Sequence, residues 1–220
     1  MFQKNKKYRK WATYRRIILD HLQNYYKYLY KGIVLDLGGR DRGNFIKPKE
    51  KVDKWIFADI NREYNPDIIL DVANMHQINS NSIDVINAIE LFEHVQEITI
   101  GLKESYRILK KGGIIIISAP FMFPIHADPF DYHRWTDYKW KIELKKIGFK
   151  IEKLIVMGNF YTLLAEMLKV KLKTNYSTRK LLGFFLPFLD LIVRIDIKSG
   201  AKNKLKLNNY HNGYFIIAKK

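Results

Sequence analysis

Cysteine is absent from the 220-residue sequence. Disulfide frameworks, thiolate nucleophiles and Cys-ligated zinc or iron–sulfur centres are therefore excluded, and any chemistry must use oxygen and nitrogen groups. No apolar run is long and clean enough for a bilayer-spanning helix, because Pro187, Asp190 and Arg194 interrupt the most apolar region, STRKLLGFFLPFLDLIVRI. The N-terminal MFQKNKKYRKWATYRR lacks a continuous apolar stretch and a small-residue cleavage site, so it does not read as a secretory signal. A cytoplasmic location is the expectation. Acidic residues are also in short supply, with 22 Asp/Glu against 39 Lys/Arg and a net charge of +17. The imbalance is confined to the flanks. Met1 to Lys31 holds nine Lys/Arg and one acid, Phe160 to Lys220 holds twelve and three, and residues 32–159 hold eighteen of each sign. The segment expected to carry the chemistry is electrically balanced.

What is present is a regular alternation of strand and helix patterns. Trp11, Tyr14, Ile18, Leu22, Tyr25 and Leu29 recur at spacings of three and four among basic residues, which predicts one or two amphipathic helices ahead of the core. Gly32 breaks that pattern. IVLDL, KWIFADI, DIILDV, SIDVINAI and IIIISAP then read as five successive strands. A helix is expected over ELFEHVQEITIGLKESYRILK, and the turn Lys110-Lys111-Gly112-Gly113 should precede the fifth strand. WTDYKWKIELKKIGF reads as a helix ended by Gly148, followed by a strand near Lys150 to Val156 and a last strand in GYFIIAKK. The expected organisation is a basic N-terminal segment, residues 1–31, and an α/β domain, residues 32–220, with a basic helical insertion at about 159–212. Parallel neighbours need crossover connections, so helices should cover both faces of the sheet and ligands should sit at the strands' carboxyl ends.

Polar residues cluster at those ends. Gly38 and Gly39, in the loop Asp36-Leu37-Gly38-Gly39-Arg40-Asp41-Arg42-Gly43, allow close backbone approach to a ligand, and a helix N-terminus following the loop would receive an anionic group. Asp59 closes the second strand, 21 residues beyond Gly38, where an acid can accept hydrogen bonds from both ribose hydroxyls. Together these point to an adenosine cofactor. The alternative for the glycine pair alone is an ordinary tight turn.

The segments VLDLGGR, FADI, ILDVANMHQINSNSIDVINAIELFEHV and LKKGGIIIISAPF resemble the successive motifs of the class I S-adenosylmethionine-dependent methyltransferases, over about residues 32–160. Within that class the likeness is to the type 11 and quinone-biosynthesis methyltransferases. The resemblance implies a Rossmann-like three-layer α/β/α sandwich with a seven-stranded, mostly parallel sheet and an antiparallel last strand. It also implies S-adenosyl-L-methionine as cofactor. Asp36, Gly38 and Gly39 would hold its methionine part, with Arg40 as a further contact to the carboxylate. Asp59 would hold the ribose and Ile60 the adenine face; Asp71 and Val72 would contact the adenine edge, and Ala88 and Ile89 would line the cofactor at the end of the fourth strand. The usual G-x-G-x-G loop is altered here, with Arg40 and Arg42 where glycines are common.

The segment Pro120 to Thr136 resembles the P-x-H-x-x-P-x-D-Y-x-R-x-T wall of the substrate pocket in quinone-biosynthesis relatives. Methyl transfer to a hydroxyl needs alignment and removal of a proton, and His126 is the candidate base. Its alternative role is to tie the loop to a backbone carbonyl. Asp131 and Arg134 are expected to pair with each other. Glu90, Glu93 and His94, expected on one helical face, resemble the metal-holding E-x-x-E-H of ubiquinone-pathway O-methyltransferases, although His94 reads first as a residue of the catalytic pocket. The expected reaction is methylation of an oxygen on a small or lipid-linked acceptor such as a sugar or quinol. The competing readings are a nucleic-acid methyltransferase, favoured by charge but lacking any recognisable RNA-binding module, a nicotinamide-dependent reductase, against which Asp71 and the expected terminal hairpin argue, and a non-catalytic adaptor of the same fold. The basic, apolar flanks read either as a cap over the site or as a peripheral contact with an anionic membrane at its inner face.

Overall fold

The computed structural model describes residues 6–40, 43–126, 129–174, 176–199 and 209–220. Asp41, Arg42, Ala127 and Asp128, all within segments singled out above, lie outside the described residues. The chain packs as two compact units. One contains residues 25–42, 46–155 and 214–220, the other 1–24, 43–45 and 156–213.

The first unit is built on β1 (Gly32–Leu37), β2 (Val52–Asp59), β3 (Ile68–Ile69), β4 (Ile83–Ile89), β5 (Leu109–Pro120), β6 (Lys150–Val156) and β7 (Gly213–Lys219), in the order β3-β2-β1-β4-β5-β7-β6. β1 pairs in parallel with β2 and β4, β2 with β3, and β4 with β5. β7 runs the other way: the Gly112 N–H donates to Lys220 O and the Lys220 N–H to Gly113 O, so one residue faces two across an antiparallel bulge with Gly112 at φ 81°. The expected Rossmann-like, seven-stranded, mostly parallel sheet with its antiparallel last strand is present. Central strands buried on both faces need side chains that are apolar in succession. Val34, Leu35 and Leu37, Ile115 to Ile117 and Tyr214 to Ala218 satisfy this and form the core, with the buried Asp36 as the polar exception within β1. Of the helices, α1 (Lys6–Trp11) and α2 (Tyr14–Tyr25) precede the sheet, α3 (Ile98–Ile108) and α4 (Asp137–Ile147) connect its strands, and α5 (Phe160–Thr174) and α6 (Tyr176–Ser199) fill the link from β6 to β7. Thr136 caps α4, its hydroxyl accepting from the Lys139 N–H, and Gly148 ends it at φ 113°.

Three expectations need correction. No described residue between Leu37 and Val52 is helical, so no helix N-terminus follows the glycine loop. That stretch, GGRDRGNFIKPKEK, has neither apolar residues at helical spacing nor freedom from proline. The helix after β4 begins at Ile98 rather than near Glu90, because Glu90 takes a left-handed φ of 54° and Phe92–His94 form a single 3₁₀ turn. Lys110 to Gly113 belong to β5 and not to a turn, since Gly112 and Gly113 hydrogen-bond to the end of β7. The helical pattern read through Pro187 is present, with that residue inside α6.

The second unit contains α1, α2, α5 and α6, around a cluster of Ala12, Tyr14, Ile17, Ala165, Leu189 and Val193. Its polar interior is specific. The Glu166 carboxylate accepts the Tyr14 and Arg15 N–H groups, and the Tyr14 hydroxyl donates to Asp190 at 2.9 Å. Asp190 also pairs with Arg9. The Lys169 ammonium donates to the carbonyls of Arg9 and Ala12, both at 2.6 Å, and lies 4.3 Å from the Tyr14 ring centroid. Burial pushes the Lys169 ammonium down to about 8 and the Glu166 carboxyl up.

Core burial makes a direct stability prediction. Ile116, fully buried in β5, should cost about 2–5 kcal/mol when replaced in Ile116→Ala. Ile142→Ala, at a position 60% exposed on α4, should change stability by about 0.5 kcal/mol or less. Urea unfolding of both variants beside the parent checks the contrast.

Candidate functional site

The parallel register brings the carboxyl ends of β1, β2 and β4 to one edge, with Asp36 opposite Phe57 and Asn87, and Leu37 opposite Ala58. Main-chain hydrogen bonds then tie the loops beyond them. The Gly38 N–H donates to Ala58 O at 2.8 Å, Leu70 N–H to Asp59 O at 3.0 Å and Glu90 N–H to Ser118 O at 2.9 Å. Gly38, Asp59, Asp71 and Glu90 therefore lie at the ends of strands tied into one row.

Within this row the glycines are required by sterics. Gly38 sits at φ 66°, and a Cβ there would meet the Leu91 side chain at 2.9 Å. A Cβ on Gly39 would overlap the Asp36 carboxylate. That carboxylate is buried and turned inward. It accepts from Asn87 Nδ2 at 2.6 Å and Trp55 Nε1 at 2.9 Å, and faces Lys47 Nζ at 3.3 Å. Burial raises its proton affinity while these donors oppose the rise. Asp36 thus braces the loop from beneath. Arg40 folds onto Tyr64, with its guanidinium 4.1 Å from the ring centroid. The two line an open cavity of about 470 Å³ together with Gly39, Lys47, Trp55, Phe57 and Asp67.

At the end of β2, one Asp59 oxygen accepts the Asn61 N–H at 2.8 Å. Beside it Ile60 is 64% exposed, an apolar side chain at a strand tip. Asp71 is exposed and accepts the Ala73 N–H at 2.8 Å, while Val72 is buried. On β4, Ala88 is fully buried and Ile89 half-buried.

The segment after β5 folds against the turn after β4. Tyr132 N–H donates to Glu93 O at 2.8 Å, and His133 Nε2 lies 3.0 Å from Gln96 O. This clasp brings His94 and His126 together, ring centroids 5.3 Å apart and edge to face. Phe123 packs on His126 from another side, at 5.4 Å. The His126 main-chain N–H donates to Asp131 Oδ2 at 2.9 Å, and its Nδ1 lies 3.2 Å from Pro124 O and 3.4 Å from Asp131 Oδ2. With Nδ1 donating to that carbonyl, Nε2 carries the lone pair. Asp131 and Arg134 form the expected pair, with both guanidinium nitrogens on the carboxylate. The Arg134 hydrogen bonds hold the Asp131 carboxyl down to about 2.

The expected trio Glu90, Glu93 and His94 does not share a helical face, because its residues span a left-handed turn and a 3₁₀ turn. Glu90 accepts instead from the Ser118 hydroxyl. A different trio forms: Glu93, His94 and His126 each offer a ligand atom, all within 4.8 Å of one another. The sequence reading missed Asn87, Trp55 and Lys47, the partners of Asp36. The one signal for them was an asparagine inside the apolar strand DVINAI.

Residues 51–117 match the family model described as a methyltransferase domain. None of the curated proteins compared matches. Among solved structures the chain is similar to an S-adenosylmethionine-dependent methyltransferase from Archaeoglobus fulgidus, with 18% identity, coverage of 93% of this chain and 94% of that one, and a TM-score of 0.57. It is similar to phosphoethanolamine N-methyltransferase 2 of Haemonchus contortus, solved in complex with S-adenosyl-L-methionine, at 16% identity over 93% of this chain and 52% of that one, TM-score 0.54. It is also similar to the [4+2]-cyclase SpnF, at 16% identity over 92% and 79% of the two chains, TM-score 0.52. Identities this low establish a shared fold. The family match and the fold together bear out the resemblance to the class I methyltransferases.

Asp131 gives a pH-dependent prediction. A carboxyl whose folded value lies below its unfolded one adds stability above the unfolded value and loses it as pH falls through the folded one. Asp131→Asn should be less stable than the parent at neutral pH, and the deficit should shrink as pH falls from about 4 to about 2. Thermal melts at stepped pH measure the convergence.

Proposed function

We propose that the protein transfers a methyl group from S-adenosyl-L-methionine to an oxygen of a small or lipid-linked acceptor, such as a sugar or quinol hydroxyl. The observation that carries the reading is the joining of a glycine-floored loop and Asp59 at one sheet edge to a histidine pair at the next strand end. The residues fit a nucleoside with a charged tail. Gly38 and Gly39 leave the loop without side-chain bulk, Asp59 offers a carboxylate to a diol, and exposed Ile60 offers an apolar face to a base. Arg40 and Lys47 line the cavity beside Gly39, and their positive charge supports a carboxylate as the charged end of the ligand.

When bound, S-adenosylmethionine supplies an electrophilic methyl on a sulfonium sulfur. The chain's own task is to align an acceptor oxygen in line with the sulfur–carbon bond and to take up its proton. In this reading His126 Nε2 would take up the proton that the acceptor hydroxyl loses on methylation. Asp131 positions His126 through its main-chain N–H, and Arg134 keeps Asp131 ionised. A second reading is favoured by the Glu93, His94 and His126 cluster, in which a divalent ion polarises the acceptor hydroxyl.

Calorimetry with S-adenosylhomocysteine tests the binding half. Asp59→Ala should weaken binding roughly 10- to 100-fold, the loss of one or two hydrogen bonds to a charged acceptor. Absence of any heat or thermal shift with the parent protein would leave the adaptor reading standing. For the chemical half, transfer of labelled methyl to a panel of catechols, quinols and glycans should fall about 10²- to 10⁴-fold in His126→Gln with S-adenosylhomocysteine affinity unchanged. Activity retained in EDTA favours the histidine base, and activity abolished by EDTA and restored by a divalent ion favours the metal reading. Label appearing in RNA alone would sink the small-acceptor proposal.

A further inference from the structure

The unit formed by residues 1–24, 43–45 and 156–213 has a charge distribution unlike that of the rest of the chain. It holds seventeen Lys/Arg and only four Asp/Glu, a net of +13 out of the whole chain's +17. All four acids, Asp20, Glu166, Asp190 and Asp196, are buried. Each is engaged internally. Asp20 accepts from the Tyr8 hydroxyl and the Asn44 N–H, and Asp196 from the Asn159 N–H, the Thr162 N–H and the Thr162 hydroxyl. Glu166 and Asp190 are held by α1, α2 and Tyr14 as described above. The surface of the unit consequently shows no carboxylate to offset its cations. Lys7, Lys10, Lys171, Arg194 and Lys198 are exposed.

A second feature lies on the same unit. α6 buries Leu182, Leu186, Leu189, Val193 and Asp196 along one side. Along another it exposes Leu181, Phe184, Phe185, Phe188, Leu191 and Ile195, at the three- and four-residue spacings of a single helical stripe. Phe184 is 81% exposed and Phe188 60%. The stripe runs for about 20 Å along the helix at 1.5 Å per residue. Apolar side chains of this size lose favourable transfer energy when left in water, and a continuous row of them marks a docking surface. No helix of the described residues is long and apolar enough to cross a membrane.

We infer that this unit docks on an anionic lipid surface, with α6 lying in the plane of the interface and its Leu181–Ile195 stripe inserted among the acyl chains. The exposed lysines and arginines meet lipid phosphates, and each adds electrostatic attraction within a Debye length of the surface. The long basic side chains reach upward to the headgroups while their stems cover apolar area. Lipid fits better than nucleic acid because bases stack on aromatic rings and gain nothing from Leu181, Leu191 or Ile195, whereas acyl chains take aliphatic and aromatic side chains alike. The inference is independent of the methyl-transfer reading and uses none of its residues.

The test is sedimentation of the full chain with vesicles of phosphatidylcholine alone and with about 30 mol% phosphatidylglycerol. Binding should require the anionic lipid and fall severalfold between about 0.1 and 0.5 M salt. Phe184→Ser with Phe188→Ser should weaken it roughly tenfold or more, and circular dichroism should show the helices retained because both positions are exposed. In a separate variant, Phe184→Trp, the emission should shift to the blue on addition of anionic vesicles only. Equal binding to neutral vesicles, undiminished binding by the double variant, or an unshifted Phe184→Trp spectrum would overturn the inference. So would capture by polyuridylate or an acidic peptide with no vesicle binding.

Discussion

The Asp36 carboxylate is the constraint on which the sheet edge depends. Removing a carboxylate from water is costly unless donors replace the lost hydration, and Asp36 finds them on three separate pieces of chain. Asn87 comes from β4, Trp55 from β2 and Lys47 from the link between β1 and β2. Tyr30 extends the set, donating its hydroxyl to Asn87 Oδ1 at 2.8 Å and stacking on Trp55 at 5.3 Å. A shift of β2 or β4 along β1 would break these bonds and leave a buried charge uncompensated. The register that aligns Gly38, Asp59 and Glu90 is therefore held by a polar cluster as well as by apolar packing.

The same cluster explains why the β1–β2 link has no helix in its described residues. Lys47 reaches back to Asp36 and Gly39 passes directly over the carboxylate, so these contacts and not a helical ladder hold those two residues. That feature was legible in principle, since Pro48 and the lack of apolar periodicity argue against a helix there. The alternation of strands and the positions of their ends were legible because continuous apolar runs bounded by Gly, Asp and Pro admit few other readings. The helix start after β4 was not. A charged, apolar-spaced stretch such as ELFEHVQEI satisfies the helical period, but Glu90 adopts a left-handed conformation, its N–H donating to Ser118 O and its carboxylate accepting from the Ser118 hydroxyl. Side-chain meetings across the fold were beyond any local pattern. His94 and His126 stand 32 positions apart, and what joins them is the clasp of Tyr132 and His133 on the turn of residues 93–96.

Charge shows a similar division between what sequence states and what folding decides. The sequence reports an excess of cations in both flanks, and folding determines where the few anions go. In the helical unit they turn inward, where Glu166 and Asp190 serve as internal partners for main-chain N–H groups, Tyr14 and Arg9. Buried acids of this kind fix α1 and α2 against α5 and α6, because breaking one pair strands a charge in a desolvated site. The consequence is a surface of one sign, which a uniform scatter of the same residues would not produce.

Sharing a sheet does not settle chemistry, since both methyltransferases and the [4+2]-cyclase SpnF are similar to this chain at comparable TM-scores. What separates a methyl-transfer site from another use of the fold is the group facing the acceptor. In the proposed reading, two imidazoles 5.3 Å apart, one of them braced by Asp131, would serve as a proton acceptor that cofactor binding alone does not need. A hydroxyl acceptor does need it, because its proton must leave as the new bond forms, whereas an amine can lose its proton after transfer. The proposed preference for oxygen therefore rests on the histidine side of the site, and the cofactor side is neutral on the question.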